Sequence, residues 1–199
     1  MLSTTLVFAK EPVVGQVKTR ISKTHGTELA LSIYKELLSI TALEIDSVDH
    51  HVAFAGSNDP ASLKSIFPKA GSFFKQSGKE LGSRLKNAFV RFFDKAYDGI
   101  CAIGCDCPAL SADDISQSFT LLERNDVVIG PAMDGGYYLI ACKPRGLAVF
   151  NASAWGTNHL LEETIGLCVG NRLQYALLEK KFDIDTFKDF ERWQKLRLL

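Results

Sequence analysis

Short apolar runs alternate with amphipathic stretches along most of this chain. The runs at 6–9, 51–55 and 100–103 have the length of buried strands. Between them, apolar residues recur at helical spacing over 28–45 and 80–97. Strands that alternate with helices are typical of a sheet with helices packed on both faces. The alternation therefore predicts an α/β fold with three layers, in the order α/β/α.

Two apolar runs in the second half, 126–130 and 137–141, lie unusually close together. The Asp134-Gly135 pair between them is a strong hairpin signal. We therefore predict a mostly parallel, mixed sheet with a local antiparallel departure at this point. Since the chain shows no repeat or linker, residues 1–199 are expected to form one domain.

Composition excludes several classes of function. Lys+Arg and Asp+Glu are both 23, which argues against broad attraction to nucleic acids or membranes. No apolar stretch approaches the roughly 20 residues that span a bilayer, and the first residues lack the basic start of a signal peptide. The five cysteines are an odd number, which argues against a secreted disulfide framework, and they lack the paired ligand spacing of a zinc site. A cytoplasmic protein with no nucleic-acid or membrane partner is expected.

Asp106 is the most informative single residue. It follows the apolar run 100–103 and Gly104, which places a carboxylate at the carboxyl end of a predicted central strand. Ligands bind at that edge of open α/β sheets. Because Mg²⁺ prefers one or two carboxylates together with substrate phosphates, Asp106 predicts a metal–phosphate site. The alternative is a carboxylate that caps the following turn.

A basic loop follows the first predicted strand and contains Lys10, Gly15, Lys18 and Arg20. Its spacing does not fit a P-loop, because Gly15 does not directly precede the lysine. Lysine and arginine at a strand end could nevertheless surround a triphosphate. The alternative is an ordinary solvated loop.

A glycine-containing segment from Gly78 to Arg84 joins a short predicted strand to an amphipathic helix. Backbone N–H groups at the start of a helix favour anions, and glycine permits their close approach. The segment is thus a second candidate phosphate contact. An ordinary capped helix is the alternative.

The hairpin residues Asp134, Gly135 and Gly136, followed by Tyr137, could form the pocket wall that meets a sugar or an acceptor. Their glycines would let backbone approach a ligand closely. A purely structural turn is the competing interpretation.

Two carboxylates, Asp183 and Asp185, alternate along a segment predicted to be extended. Acids on one side of an extended chain repel each other unless a cation or hydrogen-bond donors neutralise them. They are therefore candidate metal ligands. Alternatively, they belong to an exposed edge strand that leads into the last helix.

The order of these motifs resembles one family across nearly the whole chain. The segments are 10–20, 76–84, 104–110, 130–140 and 183–190. The resemblance is to GT-A-fold nucleotide-diphospho-sugar transferase-like proteins, also labelled selenodomain-associated transferases. That group is similar to the 2-phospholactate and molybdenum-cofactor guanylyltransferases.

The resemblance implies a Rossmann-like GT-A domain that binds a nucleoside triphosphate or a nucleotide sugar, together with a small-molecule acceptor. It implies Mg²⁺ or Mn²⁺ as cofactor and leaves a homodimer open. The roles it implies are binding of donor phosphates by Lys18 and Arg20 and metal binding by Asp106 with both late acids. Lys18 and Asp106 are also the expected catalytic residues. The loop with Trp155 would join the hairpin on the acceptor side.

The implied activity is metal-dependent transfer from a nucleotide-activated donor, either of a nucleotidyl group or of a sugar. Lys18, Arg20 and the late acids favour nucleotidyl transfer, whereas the family label favours sugar transfer. A nucleotide-binding protein without turnover is the alternative from another class.

Overall fold

The five predicted apolar runs form five of the seven strands of the described sheet. A computed structural model of the chain describes residues 1–56 and 59–197. The strands are β1 (Ser3–Lys10), β2 (His50–Ala55), β3 (Phe73–Lys75), β4 (Gly99–Ile103), β5 (Val127–Pro131), β6 (Tyr137–Cys142) and β7 (Tyr175–Leu177).

The helices lie largely where apolar residues recur at helical spacing. They are α1 (Thr19–His25), α2 (Thr27–Glu44), α3 (Ala61–Ile66), α4 (Leu81–Phe93), α5 (Ala112–Leu122), α6 (Leu160–Gly170) and α7 (Phe187–Leu196), with a 3₁₀ helix at Pro144–Asn151. The sequence also predicts a helix from Phe187 to Leu199, and residues 198 and 199 lie outside the described part.

The strands form one sheet in the order β3-β2-β1-β4-β6-β5-β7. Strand β6 runs antiparallel to both β4 and β5, and the other pairs are parallel. This confirms the mostly parallel, mixed sheet and the hairpin between β5 and β6. From β1 the chain first moves outward through β2 and β3 and then returns to β4 on the other side. Such a reversal leaves a crevice at the carboxyl ends of the two central strands.

Helices cover both faces of the sheet, which confirms the three layers. On one face, α2, α3 and α5 contribute Tyr34, Leu63 and Ile115 to a buried cluster. On the other, α4 and the 3₁₀ helix contribute Phe89 and Val149. Apolar side chains of both layers are thereby removed from water, which is the main stabilising contribution to such a fold.

Two segments differ from prediction. Residues 19–25 form a helix, although the basic stretch was predicted to be a loop through Arg20. The segment at 182–186 forms no strand, and next to it only Lys181 makes an isolated bridge, to Ala132. It is held instead by side-chain contacts and by Ile184, which is fully buried against α1, α2 and α7.

A buried ion pair fastens this segment to α5. The Lys181 ammonium contacts the Asp114 carboxylate, and the two side chains are only 15% and 10% exposed. Lys181 Nζ also donates to the Ala109 carbonyl at 2.8 Å. Such a pair matters mainly because the loss of one partner leaves an uncompensated buried charge.

In the ranges 1–56 and 59–197, no helix combines the length and apolar character needed to cross a bilayer.

We expect Lys181→Met to lower the free energy of unfolding by about 3 kcal/mol, because Asp114 would remain buried and unpaired. Urea denaturation measures the change. The matched control is Lys180→Met, at an exposed neighbouring lysine, which should change stability by less than about 0.5 kcal/mol. Equal effects of the two substitutions would contradict a structural role for the pair.

Candidate active site

A cavity lies at the carboxyl ends of β1 and β4, where the order of strands reverses. Its volume is about 600 Å³, within the usual range of small-molecule sites. Charged residues from four separate stretches of the chain line it, namely Lys10, Lys18, Arg20, Arg84, Asp106, Asp183 and Asp185. The tertiary structure thus brings together most of the residues predicted for phosphate and metal binding.

Lys18 enters the cavity from an unusual backbone conformation. Its φ of 44° and ψ of 49° are left-handed, at the point where α1 begins. A non-glycine residue in this region costs on the order of 1–3 kcal/mol, which the surrounding contacts must offset. The side chain is only 5% exposed, and its ammonium lies 2.6 Å from Asp106 Oδ1. It also donates to the carbonyl of Ile184.

Asp106 connects the central strand to the late acidic segment. Its side chain remains 48% exposed and therefore open to the cavity. Its backbone carbonyl accepts a 2.8 Å hydrogen bond from the N–H of Ile184. Through this bond and the Lys18 contact, the backbone between the two late acids is held beside Asp106.

Asp183 is a carboxyl group in an unfavourable environment. Its pKa is raised to about 7. Burial is the main cause, and the charges of Asp106, Asp134 and Asp185 contribute to the increase, while Lys18 opposes it. Its Oδ1 atom is buried and accepts no hydrogen bond from the described residues. An oxygen in this state has unused capacity to bind a cation or a donor.

The carboxylate of Asp185, unlike the buried oxygen of Asp183, forms an ion pair. Arg20 Nη1 lies 3.0 Å from its Oδ2, in a pair that is 67% and 38% exposed. Burial raises the pKa of Asp185, and Asp106 adds to the increase, while Lys18 and Arg20 oppose it. An ion pair this exposed contributes little to stability.

The cations of the cavity divide into two groups. Lys18 and Arg20 are paired with carboxylates. Lys10 and Arg84 form no ion pair with any described residue, and the Arg84 contact is a 3.0 Å bond from Nε to the Gly78 carbonyl. The cations without an ion-pair partner are thus carried by β1 and α4, whereas the carboxylates follow β4 or belong to residues 183–185.

The glycines predicted to contact phosphate are exposed but do not line the cavity. Gly15 and Gly78 are absent from the described lining and have φ values of 75° and 133°. A Cβ on Gly78 would lie 2.5 Å from Ser83 Oγ. The start of α4 is closed by a capping box between Glu80 and Ser83. The glycines therefore permit the turns, and Arg84 is the residue of the Gly78–Arg84 segment whose positive charge lines the cavity.

On the predicted acceptor side, the hairpin is a tight structural turn. Asp134 Oδ1 accepts a 2.9 Å bond from the N–H of Gly136. Gly135 has a φ of 90°, and a Cβ there would lie 2.1 Å from the Asn158 carbonyl oxygen. None of the three hairpin residues is part of the described lining. Asp134 is nevertheless close enough for its charge to raise the pKa of Asp183.

Tyr137 lines the cavity, and Trp155 supports it from behind. The two rings are nearly perpendicular, with centroids 6.0 Å apart. Trp155 also packs on Gly82 in the first turn of α4, where a Cβ would lie 2.3 Å from Trp155 Nε1. Trp155 thus links the acceptor side to the Gly78–Arg84 segment, and Gly156 beside it reaches the cavity.

Sequence reasoning did not identify two polar residues of the cavity wall. The Tyr34 hydroxyl accepts a 2.8 Å bond from the N–H of Lys10 and donates to the carbonyl of the same residue. Gln76 Nε2 donates to the Ala53 carbonyl at 2.9 Å. Tyr34 occupies an ordinary core position in the helical pattern of α2, so no sequence signal identifies it. Gln76 begins the segment 76–84 that carries the family resemblance, so the sequence did offer a signal for it as a site residue.

No group of three or more His, Cys, Asp or Glu side chains within 1–56 and 59–197 forms a preassembled metal site. Asp106, Asp183 and Asp185 share the cavity without meeting that condition.

The raised pKa of Asp183 predicts a pH-dependent cost in stability. The folded protein holds this proton up to about pH 7, whereas the unfolded chain loses it near pH 4. The stability gained from the protonated form is therefore complete below about pH 4 and lost as pH rises through 7. Asp183→Asn should raise the free energy of unfolding at pH 8 by about 1–2 kcal/mol and have a smaller effect at pH 4.

Urea denaturation of chelator-treated protein at both pH values measures this difference. Asp113→Asn, at an exposed acid in the first turn of α5, is the control and should not raise the free energy of unfolding at pH 8, because its charge favours the start of the helix. Loss of stability in Asp183→Asn at pH 8 would contradict the assigned cost.

Comparison with known proteins identifies the family. Residues 38–157, more than half of the chain, match the family described as "Uncharacterized protein conserved in bacteria (DUF2064)". A comparison with functionally curated proteins gave no significant match.

Similar solved structures include a candidate nucleotide-diphospho-sugar transferase from Desulfovibrio desulfuricans. It is 30% identical, with a TM-score of 0.85 over 92% of this chain and 82% of that one. The predicted resemblance to nucleotide-diphospho-sugar transferase-like proteins is thereby confirmed.

Two more distant structures share the fold alone. The 4-diphosphocytidyl-2C-methyl-D-erythritol synthase of Anaerococcus prevotii is 10% identical, with a TM-score of 0.60 over 94% of each chain. The manganese complex of Rv0371c from Mycobacterium tuberculosis is 14% identical, with a TM-score of 0.55 over 96% of this chain and 97% of that one. The predicted GT-A-like fold is confirmed. By a family match over more than half of its length, this chain belongs to the bacterial DUF2064 family.

Proposed function

We propose that this protein is a divalent-metal-dependent transferase that uses a nucleotide-activated donor. The observation that carries the proposal is that the cavity at the ends of β1 and β4 contains charges of both signs. Two of its cations, Lys10 and Arg84, form no ion pair with a described residue, and three carboxylates line the same cavity. A polyphosphate needs cations to neutralise it, and a divalent metal needs carboxylates.

Lys10 and Arg84 are the residues best suited to meet the donor phosphates. Their charges are not already neutralised by carboxylates of the described chain. Arginine offers a forked set of donors to phosphate oxygens, and lysine offers a compact charge. Their contribution would be to hold the donor in place and to stabilise negative charge as its bond breaks.

The carboxylates fit a divalent cation. Asp183 Oδ1 is buried without a described hydrogen-bond donor, and Asp106 is half exposed on the same cavity. Asp106, with Asp183 or Asp185, would hold Mg²⁺ or Mn²⁺, and the donor phosphates would complete its ligands. When bound, the metal supplies Lewis-acid stabilisation of phosphate charge. The manganese complex of the M. tuberculosis structure is consistent with this proposal.

Tyr137, backed by Trp155, would form the wall against which a small acceptor is held. Lys18 has its ammonium beside Asp106, where it can stabilise the charge of a reacting phosphate. These roles serve either nucleotidyl transfer, which releases pyrophosphate, or glycosyl transfer, which releases a nucleotide. The cation-rich cavity favours nucleotidyl transfer. A cytoplasmic location accompanies the proposal because the five cysteines are free thiols.

Donor binding is tested by thermal unfolding with a panel of nucleoside triphosphates and nucleotide sugars, with Mg²⁺, with Mn²⁺ and with chelator. At a ligand concentration of about 100 times Kd, the midpoint should rise by roughly 5–10 °C, and the metal should be required. Nucleosides without phosphate are the control.

Absence of a shift with any donor would overturn the proposal. A shift without subsequent turnover would indicate a binding protein. Release of pyrophosphate or of nucleotide from the positive donor would distinguish the two reactions.

Asp106→Asn should retain the fold and lose metal-dependent donor binding, because a neutral amide of the same shape replaces the proposed ligand. Turnover should fall by about 100-fold or more. Calorimetry and product release measure the effect, and Asp113→Asn is the matched control outside the cavity. Full activity with unchanged metal affinity in Asp106→Asn would contradict the role of this carboxylate.

A further inference from the structure

Lys18 is the least exposed of the four charges that form ion pairs in the cavity. Its side chain is 5% exposed, and its ammonium contacts both Asp106 Oδ1 and the Ile184 carbonyl. Removing an ammonium from water is costly unless charge and hydrogen bonds compensate. The Asp106 carboxylate provides the compensating charge and is itself 48% exposed to the cavity.

The backbone of Lys18 supports this position. Of the three described non-glycine residues with positive φ, which are Lys18, Ala96 and Arg172, only Lys18 lines the cavity. Since a left-handed conformation is costly for a lysine, the placement of this ammonium is maintained against a local strain. The Arg20–Asp185 pair differs, because Arg20 is 67% exposed and can leave its partner at little cost.

We infer that Lys18 is a resident counter-ion, which neutralises Asp106 in the donor-free protein and competes with a divalent cation for that carboxylate. The donor phosphates would offer the ammonium a second anion and so free Asp106 for the metal. Metal and donor therefore bind with positive coupling, and each raises the affinity of the other by the same factor. The inference rests on the proposed function and adds a coupling between its two binding steps.

Competition between the Lys18 ammonium and a cation for Asp106 should lower the metal affinity of the protein when no nucleotide is bound. In the donor-free wild type, a cation that binds Asp106 must displace a buried ammonium already in contact with it. Without that ammonium, Asp106 and the unpartnered Asp183 oxygen would attract a cation unopposed. Methionine has a shape similar to that of lysine and no charge. The Lys18→Met variant should therefore bind Mn²⁺ more tightly in the absence of nucleotide, by about 10- to 100-fold.

The experiment is a Mn²⁺ titration of chelator-treated protein by electron paramagnetic resonance, without nucleotide and then with a saturating donor from the thermal screen. Circular dichroism checks the fold of each variant. The matched control is Lys10→Met, because Lys10 lines the same cavity without a described carboxylate partner. Its Mn²⁺ affinity without nucleotide should remain within about twofold of wild type.

The outcomes separate the inference from the proposed function. If Lys18→Met binds Mn²⁺ no more tightly than wild type, while wild type binds it with donor present, the counter-ion role is overturned and the proposed function stands. If wild type with donor binds no Mn²⁺, metal dependence fails and the inference fails with it. Tighter binding in both lysine variants would indicate a general charge effect and would also overturn the role.

A crystal structure of wild type with Mn²⁺ and donor provides the test if Lys18→Met does not fold. Lys18 Nζ should then contact a phosphate oxygen. An ammonium still within about 3 Å of Asp106 Oδ1 would overturn the inference.

Discussion

The contact of the Lys18 ammonium with Asp106 and the Ile184 carbonyl is the interaction on which the site depends. It joins the loop after β1, the end of β4 and the late acidic segment. The backbone bond from Ile184 to Asp106 reinforces it at 2.8 Å. Ile184 is also buried between α1, α2 and α7. Because Asp183 and Asp185 flank this residue, the hydrophobic core fixes the position of both carboxylates.

The same arrangement explains why the acids are tolerated near the core. Asp183 is buried with an unpartnered oxygen and a raised pKa, which is a cost to the folded state. Groups perturbed in this way are concentrated at functional sites, where stability is given up for binding or catalysis. Besides the Lys18 contacts, the Lys181–Asp114 pair and the buried Ile184 side chain hold the segment in position from outside the cavity.

Sequence patterns predicted the strands with long apolar runs well, because a buried strand needs such a run wherever it lies. They failed for β7, which has three residues and little burial. They also failed for α1, since a lysine in a left-handed conformation begins it without a capping side chain. Neither feature has a local signal, because both depend on neighbours that are distant in the chain.

The sequence by itself determined the alternation of strands and helices, the hairpin at Asp134 and the set of charged residues at strand ends. It also carried the family resemblance, through the order of its motifs. Only the tertiary structure decided which cations are neutralised. Lys18 and Arg20 find carboxylates that are 88 and 165 positions away, whereas Lys10 and Arg84 find none among the described residues. Electrostatic pairing depends on distances in space, and local patterns do not encode those distances.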